Sequence, residues 1–343
     1  MRNLLNTLYI TSENGYATLD GENVVIKIGD EITGRFPLHN LNGIISFSYA
    51  GASPALMGAC AKRGISLAFC TPGGRFLARA TGESHGNVLL RRKQYRVADS
   101  DEESCLAARC MVFGKLNNSR SVIERALRDH PARIDTEAFR TASLRLKELS
   151  ARALDETDLD TLRGIEGVAA ETYFSCFDGM ILGDKDSFFY NGRSRRPPTD
   201  NVNAMLSFTY TVLANDCASA LESVGLDAYV GFMHSDRPGR RSLALDLMEE
   251  LRPCFADRFV LSMINTRVMS EKDFERQENG AVLMTDEAKK KLIQSWQKRK
   301  HEEITHPFLN EKLPWGLVPY VQALLLARYL RGDLDAYPAF LWK

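Results

Sequence analysis

The period of the apolar residues changes near residue 86, and that change limits the fold of this chain more than any single motif does. Before it, apolar residues alternate in short runs cut by turn dipeptides: LYIT, Asn14-Gly15, YATLD, Asp20-Gly21, NVVIKI and Gly29-Asp30. A period of two broken by Asn-Gly and Asp-Gly predicts strands closed by hairpins, two of them within the first thirty residues. ITGRFPLH and GIISFSY continue the pattern. SPALMGACAKRG reads as a short helix with Ser53 as its cap, Pro54 in its first position and Gly64 as its stop, and ISLAFCT returns to strand. Beyond residue 86 the apolar residues recur at helical spacing through NVLLRRKQYRVA, DEESCLAARCMVFGKL, SRSVIERALRDH and TEAFRTASLRLKELSARAL. Later helices are predicted over 166–178, 200–222, 242–252, 254–268, 285–301 and 317–331, and YNGRSRRPPTD is predicted to be a surface loop. The expected class is α+β. A small N-terminal β-sheet domain covers 1–85, a linker or helix start 86–100, and a larger all-helical C-terminal domain 101–343.

Composition narrows the function classes. The 343 residues carry 44 basic and 44 acidic side chains, with 44% hydrophobic and 26% charged residues, as expected of an ordered globular chain. Thr11 and Ser12 interrupt the N-terminus before a signal-peptide core could form, and no apolar run reaches the ~18 residues of a membrane span. The expectation is a soluble cytoplasmic protein without a membrane partner. Seven scattered cysteines without a C-x-x-C pair suit reduced thiols that fill the core. Zero net charge means that any nucleic-acid contact must come from patches. Leu89 to Arg152 holds fourteen Lys/Arg against nine Asp/Glu, and Lys289 to Lys300 holds six basic residues in twelve.

Several familiar sites fail. HEEITH at 301–306 spaces its histidines five apart, about 140° around a helix, where a zinc helix needs four. Walker A, G-x-G-x-x-G and G-x-S-x-G patterns are absent. Glu287-Ala288-Lys289 has a nuclease-like spacing, but it opens a basic helix.

Three segments share one chemistry. LRGIEGVAAETYF sets Glu166 between Gly164 and Gly167, where a plainer reading is a helix-start acid on the macrodipole. DAYVGFMHSDRPGRR delivers His234 from a short strand to an arginine-rich loop. SLALDLMEELRP is a helix capped by Ser242 that must stop before Pro253. Its leucines, Ala244 and Met248 fill one sector, and Asp246, Glu249 and Glu250 fill the other, which alone would read as a solvated acidic face. Asp246 and Glu249, at i and i+3, stand side by side and repel each other unless a cation sits between them. Carboxylates with one neutral imidazole suit Mg²⁺ or Mn²⁺, ions that polarise a phosphodiester.

These segments, with RSRRPPTDNVNAMLSFTYTVL around Arg195, Arg196, Pro197, Pro198 and Asn203, resemble the CRISPR-associated adaptation endonuclease/integrase family over essentially the whole chain. LNTLYIT, PLHNLNGIISFSYAGASPALMGACAKRGISLAF, GGRFLAR and GNVLLRRKQYR are similar to its subtype I-C branch. The resemblance implies a metal-dependent DNA enzyme that inserts short segments (spacers) into a CRISPR array by attack of a 3′-hydroxyl on a repeat phosphodiester. It implies Glu166, His234 and Glu249 as ligands of Mg²⁺ or Mn²⁺, with Asp246 a further acid of the catalytic cluster. Glu249 stands where some members have Asp. The implied partners are double-stranded and branched DNA, a second copy of the chain docked through the β domain, and a small ferredoxin-like adaptation protein that bridges two dimers into a heterohexamer. An iron–sulfur nuclease that trims the DNA is also implied. The basic candidates for DNA are Arg91 to Lys93, the Arg193, Arg195 and Arg196 loop with Asn203, then Arg237, Arg240 and Arg241 beside the site, and Lys289, Lys290 and Lys291 with Lys298 to Lys300. Two alternatives stand beside this reading: a repair nuclease for branched DNA, and a catalytically inactive DNA-binding scaffold subunit.

Overall fold

The alternating runs become strands, though not all in the expected pairs. The computed structural model describes residues 7–12, 14–41, 43–72, 76–80, 82, 88–194 and 197–342. Strands β2 (Tyr16–Asp20), β3 (Asn23–Ile28) and β4 (Glu31–Pro37) form an antiparallel three-stranded sheet, with turns at Gly21 and Gly29 as predicted. β1 (Thr7–Ile10) is no part of it, which corrects the expected use of Asn14-Gly15 as a hairpin turn. β1 instead runs parallel to β5 (Gly43–Ser46), and the chain between β1 and β2 passes from one sheet to the other. β6 (Ser66–Cys70) continues this second sheet in parallel and β7 (Phe76–Ala80) closes it antiparallel. Helix α1 (Pro54–Arg63) makes the crossover between β5 and β6: Ser53 Oγ accepts from Leu56 N–H, and Gly64 ends the helix at φ 63°, a left-handed stop that suits glycine.

Both faces of the second sheet are buried, because successive side chains point to opposite sides. Ile44 and Leu67 face a core shared with Val24, Ile26, Leu38 and Leu56. Ile45, Phe47, Ala68 and Cys70 face the helical body, where Phe47 stacks on Phe208 with centroids 5.1 Å apart.

The helical part begins with α2 (Val88–Ala98), and the boundary expected at 85–86 lies outside the described residues. α3 (Asp101–Asp129) is one unbroken helix where the sequence suggests two stretches, capped by Ser100. α4 (Thr136–Asp155) and α5 (Leu159–Ser175) start at side-chain caps, Asp135 and Asp158. α5 therefore begins two turns before the expected start. Glycines 164 and 167 lie within it, and a Cβ at either would meet nothing within 4 Å. α6 (Asn201–Ser223) crosses the centre of the core. α7 (Ser242–Glu249) ends earlier than expected and is followed by a π-helical stretch, Arg252–Asp257, whose second residue, Pro253, has no N–H to leave unpaired. α8 (Arg258–Asn265), α9 (Asp286–His301) and α10 (Val318–Leu330) complete the helices. Two short hairpins, β8 (Phe274–Arg276) with β9 (Val282–Met284) and β10 (Glu303–Thr305) with β11 (Lys312–Pro314), make this part mostly rather than entirely helical. The seven cysteines are buried and free. Among the described residues no helix is long and apolar enough to cross a membrane.

Candidate metal centre

Three helices bring two of the predicted acids onto one cation. Glu166 lies in the third turn of α5, not at a helix start, so the macrodipole does not explain it. Glu249 is the last residue of α7. Between them stands Lys115 of α3, whose Nζ donates to Glu166 Oε1 and is in ion contact with Glu249 Oε2. Among the described residues Glu249 Oε2 has no partner besides this ammonium. Arg252 completes the cluster: its Nη1 donates to Glu249 Oε1 at 2.8 Å, and its guanidinium lies 4.4 Å from the centroid of the Tyr210 ring. Burial alone would push the Glu249 carboxyl up; Arg252, Lys115 and then His234 outweigh it and hold the group well below the ordinary carboxylate range.

Asp246 and Glu249 do not share a cation, a correction to their expected side-by-side pairing. Asp246 turns toward the 231–234 segment, accepting the backbone N–H groups of Phe232 at 2.6 Å, Met233 at 3.1 Å and His234 at 3.0 Å. Its Oδ1 also lies 2.6 Å from His234 Nδ1. These bonds take the place of a strand ladder, so His234 is held by bends around a carboxylate and not by the expected strand. Gly231 is required there, since a Cβ would lie 2.7 Å from Ser242 Cβ and 2.8 Å from Asp246 Oδ2. Ser242 is the first helical residue and no cap; its hydroxyl donates to Ser235 O at 3.2 Å. With Nδ1 committed to a carboxylate, the ring presents Nε2, the arrangement that orients a metal-binding histidine.

The acidic face is not solvated: Asp246, Glu249 and Glu250 are 1%, 4% and 0% exposed. Glu250 faces away from the cations. Its Oε1 accepts from Tyr337 Oη at 2.5 Å and Gln322 Nε2 at 2.9 Å, and its Oε2 from Phe340 N–H at 2.8 Å. Burial pushes this carboxyl up to about 7, against the opposing pull of those three bonds.

The donor set of Glu166, Glu249 and His234 suits a hard divalent ion: two carboxylates already meeting one positive charge, and an imidazole oriented from behind. It is not a ready-made cage. Among the described residues no three His, Cys, Asp or Glu side chains gather at ligand positions, because Lys115 occupies the space between the two glutamates.

The basic candidates divide sharply. Arg237 and Lys290 are exposed and Arg240 is half-buried, its pKa lowered by burial and by Arg237. Arg241 is buried, donating to Asn215 Oδ1 at 2.5 Å, and Lys289 is buried against Asp286 at 3.0 Å. Asn203 is buried as well, accepting from Arg193 Nη1 at 2.6 Å and donating to Gly192 O at 2.9 Å, so it and Arg193 hold the start of α6. These four are packing groups and not a DNA surface. Lys300 is buried on Asp216, Lys291 pairs with Asp273 and Lys93 with Glu103. Arg195 and Arg196 lie outside the described residues.

Sequence reading missed Lys115, Arg252 and Arg163. Lys115 had a signal: it sits at the register of Val112, Ser119 and Val122 on the buried side of α3, where a lysine needs a partner. Arg163, one turn before Glu166, donates from Nε to Met233 O at 2.9 Å and so ties α5 to the His234 segment.

Comparison with known proteins identifies the family. The family profile described as CRISPR associated protein Cas1 matches residues 8–298. The chain is 50% identical over 343 residues to a CRISPR-associated endonuclease Cas1 of Chlorobaculum tepidum, covering 100% of both chains. It is 50% identical over 347 residues to one of Rhodospirillum rubrum, again covering 100% of both. Among solved structures, a Cas1 protein from Thermotoga maritima shares the fold at a TM-score of 0.81 and 21% identity, over 95% of this chain and 97% of that one. A casposase bound to its integration product shares it at a TM-score of 0.83 and 23% identity, over 98% and 94%. A profile that matches most of the chain, and relatives half identical over its whole length, leave one conclusion: the chain belongs to the Cas1 family of CRISPR-associated proteins.

Proposed function

We propose that the protein is the metal-dependent DNA endonuclease/integrase of CRISPR adaptation and that it inserts spacers into the array by transesterification. The observation that carries this reading is the convergence of Glu166 and Glu249 on one cation beside a histidine held by Asp246. In the reaction, a 3′-hydroxyl of the incoming DNA forms a bond to a repeat phosphorus, and the bond from that phosphorus to its original 3′-oxygen breaks. A bound Mg²⁺ or Mn²⁺ would lower the pKa of the attacking hydroxyl and offset charge on the phosphate.

The chain's own residues do the rest. Glu166, Glu249 and His234 would hold the ion. Asp246 fixes the tautomer and tilt of His234 and braces the backbone on either side of it. Arg252 keeps Glu249 ionised although buried. Arg163, Arg237 and Arg240 form a cationic rim near His234, where phosphates can be positioned.

We assign the chain to the subtype I-C branch and expect a homodimer bridged by a Cas2-type protein. A solved complex named for Cas6-RT-Cas1 and Cas2 supports such a partner, and a fusion of Cas4 exonuclease with Cas1 in Geobacter sulfurreducens, 36% identical over 340 residues, supports a trimming nuclease. The chain spans 60% of that fusion.

One observation favours a different reading: Lys115 already pairs with both glutamates, as it would in a purely structural ion-pair cluster of an inactive scaffold. Strand transfer separates the two. A labelled short duplex is incubated with a supercoiled plasmid carrying a CRISPR leader and repeat, in Mn²⁺, Mg²⁺ or EDTA, with the Cas2-type partner. Joined product that needs metal and vanishes in Glu249→Ala and His234→Ala is expected. Shortened fragments alone would leave a hydrolytic nuclease, and no metal-dependent product from a folded, DNA-binding protein would leave the scaffold.

A further inference from the structure

Lys115 is the least expected group in the site, because a lysine between two candidate ligands excludes the ion those ligands suit. Its side chain is 8% exposed, and its ammonium is the point at which α3 meets α5 and α7. A buried ammonium with two carboxylates is stable only while both remain its partners. A divalent ion entering between the same oxygens must break those contacts, and the two charges repel each other at close range.

The fold supplies a place for the displaced group. Beside Lys115 lies a cavity of about 10 Å³, lined by Ala169, Ala170, Tyr173, Arg252 and Asp257, with room for about one water-sized group. An ammonium head is of that size. Asp257 is buried, accepts from Tyr210 Oη and lies against the buried Tyr173 hydroxyl. A carboxylate and a hydroxyl oxygen are acceptors for a cation that arrives from a few ångströms away, in a lining that also holds Arg252. The π-helical stretch makes this arrangement possible, since it points Arg252 back at Glu249 and Asp257 toward Tyr210 at its two ends.

We infer that Lys115 is an exchangeable counter-ion: its ammonium clamps Glu166 to Glu249 until a divalent ion takes those oxygens, and it then moves into the cavity beside Tyr173 and Asp257. The clamp keeps two buried carboxylates paired and three helices in register in the protein without metal, at the cost of weaker metal binding. The lysine is thus a device that sets the affinity of the site, acting through Glu166 and Glu249 and not on DNA. The inference rests on the reading that Mg²⁺ or Mn²⁺ binds between these glutamates.

The test is Mn²⁺ binding by titration calorimetry to EDTA-treated, dialysed wild type and Lys115→Met, with melting temperatures recorded with and without Mn²⁺. Lys115→Met is expected to bind Mn²⁺ at least tenfold more tightly, to melt lower than wild type without metal, and to gain more from its addition. An unchanged or weakened Kd in Lys115→Met overturns the exchange. Failure of both proteins to bind Mn²⁺ overturns the metal reading beneath it, so the two failures are distinct. Should Lys115→Met not fold, wild type crystallised with Mn²⁺ decides: Nζ beside Asp257 supports the exchange, and Nζ still between the two glutamates overturns it.

Discussion

Glu249 and Glu250 are adjacent in sequence and equally removed from solvent, yet they lie in opposite surroundings. Around Glu249 the partners are cations, Lys115 and Arg252, and the carboxyl is held well below its ordinary range. Around Glu250 they are neutral donors, Tyr337, Gln322 and the Phe340 N–H, and burial lifts the carboxyl to about 7. Hydrogen bonds from neutral groups offset part of the cost of burying a charge, whereas two nearby cations exceed it. The first environment keeps a carboxylate ionised inside the core. The second fastens the C-terminal segment to the core: Asn118 Nδ2 donates both to Glu250 O and to Phe340 O at 2.7 Å, and Trp342 N–H donates to Asn118 Oδ1 at 2.8 Å. One carboxyl is held as an anion among cations and the other is lifted by burial among neutral donors, within a single turn of chain.

The largest expected effect tests that division directly. Glu249→Gln should lower strand transfer by more than about a hundredfold, while Glu250→Gln, with its hydrogen bonds largely replaceable, should stay within about threefold. Equal losses in the two variants would remove the distinction. Stability separates Glu250 from the site histidine. Glu250→Ala should cost about 3 kcal/mol in urea unfolding, because it leaves the Tyr337 O–H and the Phe340 N–H without an acceptor, while Gln322 keeps Tyr337 Oη and Pro338 O, and His234→Ala, at a partly exposed position, should cost about 1 kcal/mol or less.

The pH dependence sharpens the same comparison. Glu250 rises from an ordinary value of 4.5 to about 7, so between those values the folded state keeps a proton that the unfolded state has released. Stability from this group therefore falls as pH rises through that window, by about 3 kcal/mol in total. Glu249 has the opposite sign: its contribution is present above the ordinary glutamate value and is lost as pH falls below it. Asp257, raised by burial from 3.8 to about 6, acts in the same direction as Glu250 between those values. Urea melts from pH 5 to 8 should show declining stability in wild type and a shallower decline in Glu250→Gln; an unchanged slope would place the titration elsewhere.

Asp246→Asn keeps the shape of the residue but removes the anion behind His234, and should lower Mn²⁺ affinity or activity by about 10–100-fold. The smallest effect belongs to the rim. Arg237→Ala should weaken DNA binding a few-fold and reduce its dependence on log salt by about 0.9, whereas the buried Arg241→Ala should change the melting temperature and leave that slope alone.

Local pattern was enough for most of the elements. Ser53, Pro54 and Gly64 specify α1 by capping chemistry alone, and the alternation in YATLD and NVVIKI specifies β2 and β3. It misled at LYIT, because the partner of β1 lies beyond Pro37 and a turn dipeptide carries no information about distant strands. It also misled at Glu166, where two glycines suggested a helix boundary that Asp158 had already set two turns earlier.

The sequence by itself determined the division into β and helical parts, the positions of the caps, and the segments that hold Glu166, His234 and Glu249, since these follow from periodicity and motif over short stretches. Tertiary structure alone decided that Asp246 serves the backbone of His234, that Arg241, Lys289 and Asn203 are packing groups, and that Lys115 stands between the two glutamates. A charge within the core takes its partners from helices dozens of residues away, and burial, which sets its ionisation and its strength of pairing, is a property of the assembled helices and of no single segment.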